Sequence, residues 1–249
     1  MRKKILFGIL FAASIFLFGM QTLQAVGVVA FHADFFKKKG TIVVDAGHGG
    51  EDGGAVAVNG ALEKDINLAI ALELEKDLKQ NNFDVIMIRD SDVSVGDQSL
   101  TTVAERKRSD TRARLRIVEE AGDCILISIH QNHFSQGKYS GAQVFYSGND
   151  PRSADLAEAI RQNIVGSLQP ENHRENNQAD SNIYLLHQCQ VPAVLVECGF
   201  LSNQTETEML CSESYRKDMA AAIYNGLIDY LEGQDGKTDT AEVSEPEGG

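Results

Sequence analysis

The sequence predicts a single α/β domain built on a twisted, mostly parallel β-sheet flanked by helices. Strand-like segments alternate with amphipathic helices along the chain, a pattern typical of βαβ units and a parallel sheet. Two of the strand-like segments, residues 124–129 (CILISI) and 191–196 (VPAVLV), are almost entirely apolar. Such runs indicate strands that are buried on both faces. No internal repeat or linker interrupts residues 41–231, so we predict one domain.

The predicted elements follow one another in the order that this fold class requires. Residues 41–44 (TIVV) predict a buried strand, and residues 61–80 predict a helix whose apolar side chains recur every fourth residue from Ile66 to Leu78. A second strand is predicted at residues 83–88 (FDVIMI). Beyond these lie predicted helices at 105–121, 153–168 and 213–231, and predicted strands at 124–129, 142–146, 183–186 and 191–196. Residues 170–180 form a polar loop.

The two ends of the chain differ in composition from the predicted domain. Residues 1–39 carry six Lys or Arg against one Asp, and residues 5–20 form an apolar run of sixteen behind the basic start MRKK. This pattern is typical of a signal peptide or an N-terminal membrane anchor, and residues 1–30 fit either one. Both predict that the rest of the chain lies outside the cytoplasmic membrane. We assign residues 31–40 to a linker, 41–232 to the α/β domain and 233–249 to a disordered acidic tail.

Charge and cysteine usage exclude several function classes. The net charge of −13 argues against a nucleic-acid groove, which needs clustered Lys and Arg to displace counterions. The four cysteines are few for an exported disulfide scaffold, and their spacing fits no zinc finger. Cys124 and Cys198 lie in apolar runs and are predicted to be buried thiols, whereas a pairing of Cys189 with Cys211 is left open by the sequence.

The loop after the first predicted strand is the strongest local signal in the chain. Residues 41–55 read TIVVDAGHGGEDGGA, so His48 lies in a glycine-rich loop directly after a buried strand. The loop does not fit a phosphate-binding fingerprint, because the third glycine position of GxGxxG falls on Asp52. Glu51 and Asp52 would also repel a phosphate. A metal-binding or catalytic role for His48 therefore depends on partners elsewhere in the chain.

Three predicted strands lead into polar side chains, namely His48, His130 and Glu197. In open α/β sheets the ligand site lies outside the carboxyl ends of the strands, so these side chains are expected to meet there. Glu63 opens the first predicted helix, and the glycine loop can bring it back beside His48. Two imidazoles and a carboxylate form a typical catalytic zinc site, in which a further carboxylate accepts a proton from water.

The motifs DAGHGGEDGGA, LEKDINL, ISIHQN and VPAVLVECGFLSN occur in this order, and together they resemble the zinc-dependent N-acetylmuramoyl-L-alanine amidases of the Amidase_3 class. The resemblance covers residues 41–231. TRARLRIVEEAGDCILISIHQN, YSGAQVFY and SNIYLL are also similar to the germination-specific spore cortex members of that family. The family fold is a single α/β domain with a largely parallel sheet.

The resemblance implies a role for each candidate residue. His48, Glu63 and His130 would hold Zn²⁺, Glu197 would be the catalytic carboxylate, and Asn132 would bind substrate or orient the site. The reaction implied is hydrolysis of the amide between the lactyl group of N-acetylmuramic acid and L-alanine. In spore cortex this precedes formation of muramic-δ-lactam, which is needed for germination.

The resemblance also bears on partners and on competing functions. The expected partners are cortex peptidoglycan and an activating or localising protein, because the chain has no wall-binding repeats; contact with the membrane is expected only through the N-terminal segment. Residues 180–182 depart from the Arg-Gly pair that many family members carry, so the substrate-facing role of the 172–182 loop stays open. A zinc peptidase cutting within the stem peptide and a non-catalytic peptidoglycan-binding protein are the alternatives.

Overall fold

The computed structural model describes residues 39–242, with side chains up to residue 234. The six described strands are β1 (Thr41–Ala46), β2 (Asp84–Met87), β3 (Cys124–Asn132), β4 (Gln143–Tyr146), β5 (Asn177–Gln178) and β6 (Ala193–Phe200). The described helices are α1 (Glu63–Gln80), α2 (Val103–Ala121), α3 (Arg152–Ser167), α4 (Tyr184–Gln188), α5 (Gln204–Cys211) and α6 (Glu213–Glu242).

The strands form one sheet in the order β2-β1-β3-β6-β4-β5. The four strands from β2 to β6 run parallel, while β4 is antiparallel to β6 and parallel to the short edge strand β5. The predicted α/β class with a mostly parallel sheet is thus confirmed. Because β1, β3 and β6 are adjacent and parallel, their carboxyl ends lie at one edge of the sheet, where the predicted site residues follow.

Helices cover both faces of the sheet, and side chains alternate between the faces along each strand. In β1, Ile42 and Val44 pack in the core with α1, α3 and α6, whereas Val43 packs on the opposite side with residues of α2 and α4. This double burial explains why β1 is apolar at consecutive positions. Among the described helices, none is long and apolar enough to cross a membrane.

Most predicted elements are present with small changes at their ends, but the strand predicted at residues 183–186 is wrong. Helix α4 occupies that segment and buries Leu185 and Leu186. A run of a few apolar residues is too short to show either the helical or the strand periodicity. It therefore does not distinguish a strand from a buried helical turn. Helix α5 was not predicted, although Asn203 caps it by accepting a hydrogen bond from the backbone N–H of Glu206, a recognisable start signal.

The last helix extends further towards the C-terminus than the sequence predicted. Helix α6 continues through Glu242, so residues 233–242 are helical where a disordered tail was predicted. Extending an established helix costs far less free energy than nucleating one, because each added residue gains a hydrogen bond. Residues 1–38, which hold the predicted export segment, and residues 243–249 lie outside the described part.

All four cysteines are free, and Cys124 and Cys198 are buried as predicted.

Candidate metal centre

His48 lies two residues beyond β1, in a loop that holds its backbone in an unusual conformation. Its φ is 62°, in the left-handed region that side-chain-bearing residues rarely adopt. Such strain costs on the order of 1–3 kcal/mol and is found mainly at functional sites. The conformation turns the imidazole towards the amino end of α1 and the carboxyl end of β3.

The His130 ring lies against the backbone of the same loop. A Cβ atom at Gly47 would lie 2.1 Å from Nε2 of His130, so no side chain fits at this position. The absence of a side chain lets the two rings approach with centroids 4.9 Å apart. Gly47 is therefore required for close approach of the two histidines.

Glu63 begins α1 and is buried beside both rings. Its Oε1 lies 3.1 Å from Nε2 of His48 and 3.0 Å from Nδ1 of His130. Its Oε2 accepts a hydrogen bond of 2.8 Å from the backbone N–H of Ala55. The loop must pass close by, since a Cβ at Gly54 would lie 2.5 Å from Oε2 of Glu63. The glycine loop thus brings Glu63 to His48, as the sequence predicted.

These three side chains offer ligand atoms that all lie within 4.8 Å of one another. Two imidazole nitrogens and a carboxylate oxygen suit Zn²⁺, and three protein ligands leave a position for water or substrate. Burial alone would raise the pKa of Glu63, but hydrogen bonds with His130 and His48 hold it well below its usual range. Glu63 is therefore a carboxylate at neutral pH, and the donor chemistry fits zinc.

Asp52 contacts Nδ1 of His48, the ring nitrogen that faces away from Glu63. Its Oδ2 is 3.0 Å from Nδ1 of His48, and its Oδ1 accepts a 2.7 Å hydrogen bond from Lys107 of α2. Burial lowers the pKa of His48, but the hydrogen bonds with Asp52 and Glu63 outweigh it and raise that pKa to about 9. A carboxylate on the second ring nitrogen fixes the orientation of a metal-binding histidine and increases its basicity.

Arg114 of α2 forms hydrogen bonds with the loop that carries His48. Its guanidinium donates to Oδ1 of Asp45 over 2.5 Å, and to the backbone oxygens of Ala46 and His48 over 3.0 and 2.6 Å. Burial alone would raise the pKa of Asp45, but Arg114 keeps it below its ordinary value. Ser128 of β3 donates to the other oxygen of Asp45. The ion pair ties α2 to the end of β1.

Arg89 holds the same loop from the other side. It donates to the backbone oxygens of Ala46 and Gly47 over 2.7 and 2.9 Å, and to that of Lys64 in α1 over 2.8 Å. These contacts join the loop before His48 to the helix that carries Glu63. Two arginines therefore supply the hydrogen bonds that the irregular backbone lacks.

Glu197 occupies the position on β6 that pairs with His130 on β3. Paired residues on neighbouring parallel strands point to the same side of the sheet, so its side chain lies next to the three-residue cluster. Its Oε2 is buried and has no hydrogen-bond partner among the described residues. Burial raises the pKa of Glu197 to about 7. A partly buried carboxyl group with a pKa near neutrality suits proton transfer.

The remaining predicted residues are less closely tied to the cluster. Asn132 is the last residue of β3 and is half-buried, and its side chain makes no hydrogen bond with the described residues. His133, His173 and His187 are exposed, and His32 lies outside the described residues. The structure thus brings together His48, Glu63, His130 and Glu197.

Asp52, Arg89 and Arg114 belong to the site, and their roles were not predicted from the sequence. Asp52 carried a weak signal, since it follows His48 by four residues within the same loop. Arg114 carried none, because it lies in a helix rich in arginine and only the tertiary contacts separate it from its exposed neighbours.

Comparisons with known proteins identify the family of this chain. Residues 42–229 match the profile of the family described as N-acetylmuramoyl-L-alanine amidase. The chain belongs to the N-acetylmuramoyl-L-alanine amidase family. It is therefore an enzyme that acts on peptidoglycan, and its expected place of action is the cell wall.

The relatives that this amidase resembles include a germination-specific enzyme. It is 35% identical over 190 residues to the germination-specific N-acetylmuramoyl-L-alanine amidase of Bacillus subtilis, covering 76% of this chain and 79% of that protein. Among solved structures, it is similar to the CwlD amidase of Clostridioides difficile in complex with the GerS lipoprotein, with 38% identity and a TM-score of 0.74, covering 77% and 98%. AmiC2 of Nostoc punctiforme is 28% identical with a TM-score of 0.66, covering 77% and 97%.

Proposed function

We propose that this amidase is zinc-dependent, with His48, Glu63 and His130 as metal ligands and Glu197 as the catalytic carboxylate. The bond cleaved is the amide between the lactyl group of N-acetylmuramic acid and L-alanine. The observation that carries this proposal is the convergence of three donor atoms within 4.8 Å. Beside them, a buried carboxylate oxygen of Glu197 has no hydrogen-bond partner in the part of the chain that the structure describes.

Zinc at this position would supply a Lewis acid for activation of water and of the scissile carbonyl. The protein residues supply the proton chemistry and the positioning. Glu197 takes up the proton of the attacking water and later delivers it to the departing amino group of L-alanine. Asp52 keeps Nε2 of His48 directed at the cluster, and the unengaged amide of Asn132 is available to hydrogen-bond substrate.

The biological role proposed is removal of stem peptides from spore cortex, as the first step towards muramic-δ-lactam. Support comes from the relative in Bacillus subtilis, which is described as germination-specific. Export of residues 41–232 as the catalytic domain, behind an N-terminal signal peptide or anchor, would place the enzyme outside the cytoplasmic membrane. The relative from Clostridioides difficile was solved in complex with a lipoprotein, which supports the proposal that a protein partner localises or activates this chain.

The decisive experiment combines zinc analysis with mass spectrometry of digested cortex peptidoglycan, for wild type and His48→Ala. We expect one zinc per wild-type chain, and intact stem peptides released from glycan. The His48→Ala variant is expected to lose both zinc and turnover. Cleavage products within the stem peptide would instead indicate an endopeptidase, and binding of peptidoglycan without release would indicate a non-catalytic protein.

A further inference from the structure

Three arginines of α2 differ from the other basic residues of the domain. Among lysines and arginines whose side chains the structure describes, Arg108, Arg112 and Arg116 alone make no hydrogen bond, ion pair or aromatic ring contact. Arg108 lies close enough to the half-buried Glu105 to interact with it electrostatically. All three are exposed. This is an unpaired cationic surface on a chain whose net charge is −13.

The three guanidinium groups form a regular row. Residues four apart lie on the same face of a helix, about 6 Å apart along its axis. Like charges at this spacing destabilise a helix. The row therefore does not stabilise α2, and its charge is available to an external anion. We call Arg108, Arg112 and Arg116 the arginine row.

A groove with an apolar component runs along the arginine row. The row lines a depression of about 580 Å³, and the other residues of its lining are Leu100, Glu105, Ser109, Leu115 and Tyr184. Its three arginines outnumber its single acidic residue. Tyr184 of α4 is 38% exposed. It also lines an adjoining groove of about 260 Å³ with Lys107, Arg108, Thr111 and Arg112. Aliphatic stems of arginine and a tyrosine ring give such a groove apolar walls below a charged rim. The surface thus offers both charge and apolar contact.

The row is distinct from the basic residues that serve the metal centre. Arg106 and Lys107 of the same helix pair with Glu51 and Asp52 of the glycine loop, and Arg114 is buried against Asp45. Those three residues therefore have structural roles. Substitutions in the arginine row leave these contacts in place, so docking at the row is separable from catalysis.

We infer that the arginine row and Tyr184 form the docking surface for an acidic helical segment of a protein partner. This inference rests on the proposed function only in assuming a protein partner. Carboxylates accept paired hydrogen bonds from guanidinium groups, and acidic residues one helical turn apart repeat at the same 6 Å as the row. Leu100, Leu115 and Tyr184 favour a protein over a phosphate polymer or lipid surface, since a protein segment presents apolar side chains beside its charges. Arginine and tyrosine also dominate binding energy at protein interfaces.

The test uses the purified full chain and labelled helical peptides, measured by fluorescence anisotropy. One peptide carries Glu at every fourth position beside a leucine stripe, and its counterpart carries Gln in place of Glu. The variant Arg108→Gln/Arg112→Gln/Arg116→Gln is compared with Lys76→Gln/Lys79→Gln/Lys217→Gln, which removes the same charge from other helices. Tyr184→Ala tests the apolar contact, and phosphatidylglycerol vesicles test an anionic membrane.

We expect the Glu peptide to bind wild type at least tenfold more tightly than the Gln peptide does. The arginine variant and Tyr184→Ala are expected to lose at least tenfold in affinity, and the lysine variant to lose less than twofold. If the arginine and lysine variants lost affinity for the Glu peptide equally, net charge alone would explain the binding, and the inference would be overturned. Arginine-dependent binding to vesicles but not to peptide would also overturn it. Amidase turnover of the arginine variant without peptide is expected to equal that of wild type, so a failure of the proposed function would be seen separately.

Discussion

His130 and Glu197 occupy paired positions on the neighbouring parallel strands β3 and β6. The pairing sets a carboxyl group of raised pKa beside the ligand cluster without using a loop to hold it. Sites built on sheet strands are more precise than sites on loops. Of the four residues of the centre, only His48 lies in a loop, and Asp52, Arg89 and Arg114 hold that loop.

Replacement of Glu197 by Gln is expected to abolish proton transfer while leaving the metal ligands intact. General acid–base groups contribute about 10²–10⁴-fold to rate, so turnover of cortex peptidoglycan should fall by that factor. Zinc content, measured by mass spectrometry of the purified protein, should remain that of wild type. Turnover equal to that of wild type in this variant would show that Glu197 is not the catalytic carboxylate.

The same substitution is expected to stabilise the metal-free protein at high pH only. Burial raises the pKa of Glu197 to about 7 from 4.5. A carboxyl group whose pKa is higher in the folded chain opposes folding above that pKa, and its penalty disappears below the unfolded pKa. We expect Glu197→Gln to raise the free energy of unfolding by about 3 kcal/mol at pH 8 and by almost nothing at pH 4. Urea unfolding in the presence of a chelator measures this, and an equal gain at both pH values would contradict it.

Asp52→Ala is expected to weaken zinc binding without removing a ligand. Loss of a carboxylate that orients a ligating histidine typically lowers metal affinity by about 10–100-fold. Competition with a chromophoric chelator measures the affinity directly. The matched control is Glu51→Ala in the same loop, because Glu51 pairs with Arg106 and makes no contact with His48. A similar loss in both variants would show that the loop, and not the contact with His48, is responsible.

Arg114→Met is expected to destabilise the domain strongly. The substitution leaves Asp45, which is 1% exposed, without its cationic partner, and breaking a buried pair in this way costs about 3–5 kcal/mol. Arg112→Met, on the exposed side of the same helix, should change stability by less than about 0.5 kcal/mol. Urea unfolding of the two variants makes the comparison. A small effect of Arg114→Met would show that water replaces the guanidinium.

Much of the fold could be predicted because its signals are local. The apolar runs before His130 and Glu197 and the helical period of α1 are patterns that burial imposes on the sequence. The α4 segment could not be assigned in this way, since its few apolar residues complete neither period. The extent of α6 was missed because helix propagation depends on the packed helix before it, and not on the composition of residues 233–242 alone.

The sequence by itself determined the fold class, the family motifs and the four residues His48, Glu63, His130 and Glu197. Each of these residues lies at the carboxyl end of a strand, just after one, or at the start of a helix, so topology was enough to expect their convergence. Only the tertiary structure decided which groups hold them. Asp52 and Arg114 act through contacts between distant segments of the chain, and an isolated charge in a sequence does not reveal whether it is buried, paired or free. For the same reason, the sequence alone does not distinguish the buried Arg114 from the exposed arginine row on the opposite face of its helix.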